Sequence, residues 1–328
     1  ALLGAVESVT LPLSMSIGNP RTLYRPKLEL LAGNTYPLIT RGSYSNLQRG
    51  LRGVLHEHAS LTSIGSAMNP TLLHQPRVSR RPAVPEALPL PMSRAEMAAR
   101  GWEEVDIVFV SGDAYVDHPS FAMAILARVL EHAGFRVGML CQPDWRSADP
   151  WRTFGPPRLC FAISAGNMDS MINHYTANRK VRNDDAYSPG GRIGLRPDRA
   201  TLPYCQRARE AYPGVPVIAG GVEASLRRLA HYDYWSDTVR GSIVLDAKAD
   251  LVVYGMGERN MLAIARRLAV GASPRALRDL RGVTYALGAR EAPPSGRDVV
   301  TIPSLTAVRT AKRAFREATR KIHHETNP

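Results

Sequence analysis

The chain has 328 residues, of which 44% are apolar and 22% charged, and a formal net charge of +13. That composition excludes collagenous, disulfide-stapled and highly charged disordered chains and fits a globular protein of one large domain or two. No apolar run approaches the roughly 18 residues of a membrane span, and the N-terminus lacks a basic start followed by a compact apolar stretch, so a cytoplasmic protein is expected.

Residues 1 to 85 are rich in Ser, Pro, Gly, Leu and Arg without a sustained period of 2 or 3.6, and no aspartate occurs before Asp106. They read as an irregular or disordered extension, plausibly not native to the domain that follows. The charge excess sits at the ends. Residues 1 to 85 hold nine Lys and Arg against three Glu, residues 296 to 328 hold seven against three acids, and the middle is close to balanced at 26 against 23. A phosphate-binding face concentrates charge on the folded part, so nucleic acid is not an expected partner.

After a proline-rich linker, "RRPAVPEALPLPMS", the pattern becomes regular. "VDIVFVS" (105 to 111) is a continuous apolar run of strand length, as expected for a strand buried on both faces. From Ser120, Phe121, Ile125, Leu126, Val129, Leu130 and Ala133 fall on one helical face, and Gly134 stops the helix. "FRVGML", "LCFAIS" (159 to 164), "VPVIAG" (215 to 220), "DLVVYG" (250 to 255) and "GVTYAL" (282 to 287) read as further strands. Helices are expected near "DSMINHY", over "DRATLPYCQRAREAY", after Glu223 and over "ERNMLAIARRLAVG". This alternation predicts an α/β fold with a doubly wound, mostly parallel sheet across residues 86 to 290. A polar insertion, "TANRKVRNDDAYSPGGRIGLRPDRA", is too long for a routine crossover. Residues 291 to 328 read as a linker and a basic helix, from about Thr306 to Ile322.

In an open parallel sheet the ligand crevice lies outside the carboxyl ends of the strands. Four segments meet there: "SGDAYVDHPS", "SAGNMD", "GGVEAS" and "GMGE". In the first, Asp117 or Ser120 is expected to cap the following helix, which leaves Asp113 and His118 as acid/base groups or ligand contacts. Asn167 and Asp169 are placed at an exposed helix start. Gly220 and Gly221 let a ligand approach a helix N-terminus, where Glu223 suits ribose hydroxyls or an ammonium better than an anion. Gly257 and Glu258 form a similar turn, in which the carboxylate also suits the helix dipole. "RRLAHYDYWSD" gathers Arg227, His231 and several aromatics, fit either to bind a base or to pin a loop onto the sheet.

Cys141, Cys160 and Cys205 lie 19 and 45 residues apart, without metal-ligand spacing, and are expected to be buried free thiols. No nucleophile elbow, His-Glu-x-x-His or phosphate-loop signature occurs. On residue chemistry alone this is a ligand-binding α/β domain without an assigned ligand.

The long segments "PLPMSRAEMAARGWEEVDIVFVSGDAYVDHPSFAMAILARVLEHAGFRVGMLCQPDW", "SAGNMDSMINHYTANRKVRNDDAYSPGG", "RPDRATLPYCQRARE", "GGVEASLRRLAHYDYWSDTVR" and "HHETNP" resemble the N-terminal region of the YgiQ family of radical SAM proteins. The resemblance covers about residues 89 to 328. It implies an accessory, substrate-side domain ahead of a radical SAM barrel, whose Cys-x3-Cys-x2-Cys loop holds a 4Fe-4S cluster that binds S-adenosylmethionine. This chain lacks that loop, and the resemblance implies that it stops before the barrel. No cofactor is then expected on the chain alone, and the expected partner is the barrel of the same polypeptide. The resemblance also implies a domain like those that bind cobalamin. A histidine-ligating cobalamin site needs Asp-x-His-x-x-Gly, however, and here Asp117 and His118 are adjacent, so cobalamin is not expected. The alternative is a stand-alone, non-catalytic module that binds a ligand or a protein.

Overall fold

The computed structural model describes residues 88–326, and the expectation for residues 1 to 85 lies outside them. A short helix α1 (Arg94–Ala99) opens the described part. It carries a capping box in which Ser93 and Glu96 satisfy each other's backbone N–H groups, a Ser-x-x-Glu signal that the reading as a plain linker passes over.

The centre is a six-stranded sheet in the order β2 (Val137–Cys141), β1 (Ile107–Ser111), β3 (Cys160–Ser164), β4 (Val217–Gly220), β7 (Leu251–Val253), β8 (Val283–Thr284). The first five strands are parallel and only β8 runs against its neighbour. The expected strand over 282 to 287 is thus a two-residue antiparallel edge. β5 (His231–Asp233) and β6 (Thr238–Arg240) form a separate antiparallel hairpin from the segment read as a helix end and loop.

Every residue of β1 and β3 is buried, because helices cover both faces of the sheet. On one face Ile107, Phe109, Ala162 and Ile218 meet α2 (Ala122–His132) and α7 (Glu258–Ala269). These helices present Met123, Ala127 and Leu130, and Met261, Ile264 and Leu268, at helical spacing. On the other face Val108, Val110, Phe161 and Ile163 pack with Tyr204, Cys205 and Ala208 of α4 (Thr201–Ala211) and with Ile243 and Val244 of α6 (Ile243–Asp246). Period-2 strands and period-3.6 helices therefore share two apolar layers, and each fully buried Val, Ile or Leu contributes about 1.5–3 kcal/mol. At the amino edge the buried Asp106 ties three strands together. It accepts the Arg136 N–H at 2.8 Å and the Arg158 guanidinium at 2.7 Å.

The carboxyl edge carries the remaining elements: α3 (Ser170–His174) after β3 and α5 (Gly221–Leu226) directly after β4. The basic C-terminal run forms α8 (Leu305–Thr310) and α9 (Lys312–Thr326). No helix among the described residues is long and apolar enough to cross a membrane.

Candidate functional site

The strand order changes direction between β1 and β3, and a ligand crevice is expected there. Here that gap is closed by the chain's own insertion. Arg196, wholly buried, donates to Asp113 at 2.6 Å, to the Ala165 carbonyl at 3.1 Å and through its other nitrogen to both oxygens of Asp185. Asp113 also accepts the Asn167 N–H at 2.6 Å. Gln142 bridges the Gly112 carbonyl and Ser188, and the Ala114 N–H reaches the Tyr187 carbonyl. The close approach dictates glycine. A Cβ on Gly112 lies 2.1 Å from the Ala165 oxygen, and one on Gly166, at φ +116°, lies 2.1 Å from the Asp113 carboxylate.

Two carboxylates share this one guanidinium. Burial, with Asp185 close by, pushes the Asp113 carboxyl up against the pull of Arg196. Asp185 is held low despite its burial, by the Ser188 hydroxyl, the Tyr187 N–H and Arg196. Asp113 is therefore a fastener between β1 and the insertion, not an open acid or base.

Other expectations change as well. Asp117 caps nothing: it pairs with Arg128, one side of the helix away, and the N-cap of α2 is Phe121 without a side-chain bond. An opposite charge within reach outcompetes the free N–H groups for this carboxylate. His118 is exposed, and its Nδ1 accepts the Ser120 N–H at 3.1 Å. Asp169 is buried, caps α3 and pairs with Arg227, so it does not sit at an exposed helix start. Glu223 is fully buried, and both of its oxygens already have partners. One oxygen takes the N–H and hydroxyl of Ser170, and the other takes the Thr201 N–H at 2.9 Å.

What remains open is a cavity of about 490 Å³ beside the plugged gap, between the sheet and the first turns of α2, α5 and α7. Its floor is Phe109, Ala162 and Ile218, and its mouth includes Asn167, Gly220, Gly221, Gly257 and Glu258. Seven of the residues singled out in the sequence line neither this cavity nor its mouth: Asp113, Asp117, His118, Asp169, Glu223, Arg227 and His231. The last two line a second cavity, of about 470 Å³, between α3 and the β5–β6 hairpin, together with Asp169. Around the carboxyl edge Val116, Ile172, Val222, Leu226 and Met256 are exposed, Met256 to 82%. Sequence reasoning missed these apolar residues and Arg196. An exposed Leu or Met carries no mark in the sequence, and Arg196 stands 83 residues from Asp113.

Cys141, Cys160 and Cys205 are free thiols on β2, β3 and α4. Burial pushes each up to about 12. A 4Fe-4S cluster needs converging thiolates, and among the described residues no three His, Cys, Asp or Glu groups are placed to hold a metal ion. The residues present do not fit the cluster.

A family model described as Radical SAM N-terminal matches residues 89–328. The chain belongs to that family. Its curated relatives include UPF0313 proteins of Rhodopseudomonas palustris, 52% identical over 79% of this chain, and of Geobacter sulfurreducens, 56% identical over 73%. The UPF0313 protein YgiQ of Salmonella typhimurium is 58% identical over 62% of the chain. The Radical SAM N-terminal chain spans 41%, 39% and 28% of these relatives. Among solved structures, the radical S-adenosylmethionine methyltransferase TsrM of Kitasatospora setae, solved with cobalamin and a 4Fe-4S cluster bound, superposes on 54% of this chain and 28% of its own. The TM-score is 0.36 at 17% identity, a likeness too distant to carry a cofactor over.

Proposed function

We propose that this chain is the accessory, substrate-side domain of a longer radical SAM polypeptide, docked by its carboxyl edge on the domain that holds the cluster. The supporting observation is the edge itself. The cavity of about 490 Å³ opens there, rimmed by the exposed apolar side chains of Val222, Leu226 and Met256. Clustered apolar surface of this kind marks an interaction site in a soluble protein. The docked domain buries the rim and encloses the cavity, which then holds part of the substrate facing the cluster; Asn167, Ser225 and Glu258 offer its polar contacts.

His118 supports a site without histidine-ligated cobalt. With Nδ1 accepting the Ser120 N–H, the neutral ring carries its proton on Nε2 and has no lone pair left for a metal. Three free cysteines suit a reducing compartment such as the cytoplasm.

The test is site-specific photocrosslinking in the full-length polypeptide. A crosslinker at Met256 is expected to give products within the downstream half, and one at Gly134 on the amino edge none. Equal yields from both positions contradict the proposal and favour a stand-alone module.

A further inference from the structure

The second cavity has a different chemistry from the first. One wall is aromatic: the Tyr175 and Trp235 rings lie 4.3 Å apart at 37°, and Tyr234, 56% exposed, stands beside them. The carboxylates in the lining already have partners. Asp169 pairs with Arg227, and Asp233 with Arg199 and the Ser236 hydroxyl.

Two guanidinium groups, Arg182 in the lining and Arg179 beside it, are held by carbonyls and a ring and not by carboxylates. Arg182 donates Nε to the Ile172 carbonyl at 2.9 Å. Arg179 lies over the Tyr234 ring, 4.9 Å from its centre, and donates to that residue's carbonyl. Neither guanidinium has a carboxylate within ion-pair distance among the described residues. At His231, Nδ1 meets the Leu229 carbonyl at 3.1 Å. A carbonyl only accepts, so Nδ1 carries the proton and Nε2 is left as an acceptor.

Aromatic rings suit a planar heterocycle, and Arg179 already lies over one side of Tyr234 and 5.7 Å from the centre of Trp235. Unpaired guanidinium groups suit a phosphate, which they bind by charge-assisted, fork-like hydrogen bonds. A volume of about 470 Å³ lies in the range of small-ligand sites. We infer that this cavity binds one nucleoside phosphate, with its base on Tyr234 and Trp235, its phosphate on Arg179 and Arg182, and a ribose hydroxyl on His231. The ligand is either a free nucleotide or one residue of a strand, and the two share this chemistry. The site shares Leu226 with the proposed docking rim, and its test reads binding to this chain alone.

The 328-residue chain is titrated with the four ribonucleoside 5′-monophosphates, the parent nucleosides, inorganic phosphate and hexanucleotides, following tryptophan fluorescence. At least one monophosphate is expected to quench the emission, and Trp235→Phe removes that signal. Loss of the phosphate, or Arg182→Ala, weakens the best binder about tenfold or more, and Tyr234→Ala weakens it as well. Both side chains are exposed, so an unchanged melting midpoint shows that these variants fold. A hexanucleotide that binds more tightly than its monomer assigns the strand as the source; equal or weaker binding assigns the free nucleotide. The inference is overturned if no monophosphate quenches, if phosphate alone binds as tightly, or if both variants leave the affinity unchanged.

Discussion

Arg196 reaches back across 83 residues of sequence to hold the Asp113 carboxylate at 2.6 Å, and with it closes the gap at which the strand order reverses. The insertion that supplies Arg196 thereby becomes part of the domain's framework, and the open cavity is displaced toward β4 and β7. Removing the guanidinium leaves two carboxylates buried together. Arg196→Ala is expected to cost about 3–5 kcal/mol, against about 1 kcal/mol for Asp113→Asn, which keeps an oxygen for the Asn167 N–H. Denaturant midpoints of the two variants decide this; equal losses contradict it.

Glu223 satisfies the backbone N–H groups of Ser170 and Thr201 and the Ser170 hydroxyl from within the core. Glu223→Ala orphans all three donors and is expected to cost roughly 3 kcal/mol or more. A loss under 1 kcal/mol in chemical denaturation is inconsistent with that role.

Two glycines at the carboxyl edge differ in kind. At Gly166 a methyl group collides with the Asp113 carboxylate, whereas at Gly257, with φ −84°, it makes ordinary van der Waals contact with Leu126 at 3.6 Å and Val253 at 3.8 Å. Gly166→Ala should therefore lower stability by roughly 2 kcal/mol or more, and Gly257→Ala should be within about 1 kcal/mol of the parent. Thermal melts of the pair check the contrast.

The β5–β6 hairpin carries a pH-dependent contribution. Burial of Asp233 is outweighed by the Ser236 hydroxyl, the Arg199 guanidinium and the Trp235 N–H, which hold its carboxyl at about 2. Because the folded value lies below the unfolded one, this contribution is fully present above pH 4 or so and is lost as the pH falls toward 2. It amounts to about 2 kcal/mol. Asp233→Asn abolishes that part of the acid dependence, and an unchanged acid profile argues against it.

The parallel sheet was legible from its apolar runs because strands buried on both faces have no reason to alternate, as in the residues of β1 and β3. The carboxyl-edge loops were legible too, since glycines and polar residues interrupt those runs after Ser111, Ser164 and Gly220. The partner of each charge was not. Asp117 looked like a cap because Pro119 and Ser120 follow it, yet Arg128, within the helix that follows, lies within its reach. Glu223 looked like a ligand group because it follows two glycines, yet its partners Ser170 and Thr201 come from other parts of the chain. The β5–β6 hairpin was hidden by its three-residue strands, too short to show a period.

The central claim is that the carboxyl edge is the face covered in the full-length polypeptide, and hydrogen exchange measured on the 328-residue chain and on that polypeptide tests it most directly. Protection in the longer protein is expected at residues 116–122, 166–171, 220–226 and 254–258, with no change at the amino-edge loops 134–136 and 156–158. Protection confined to the amino edge, or the same exchange in both proteins, contradicts the claim.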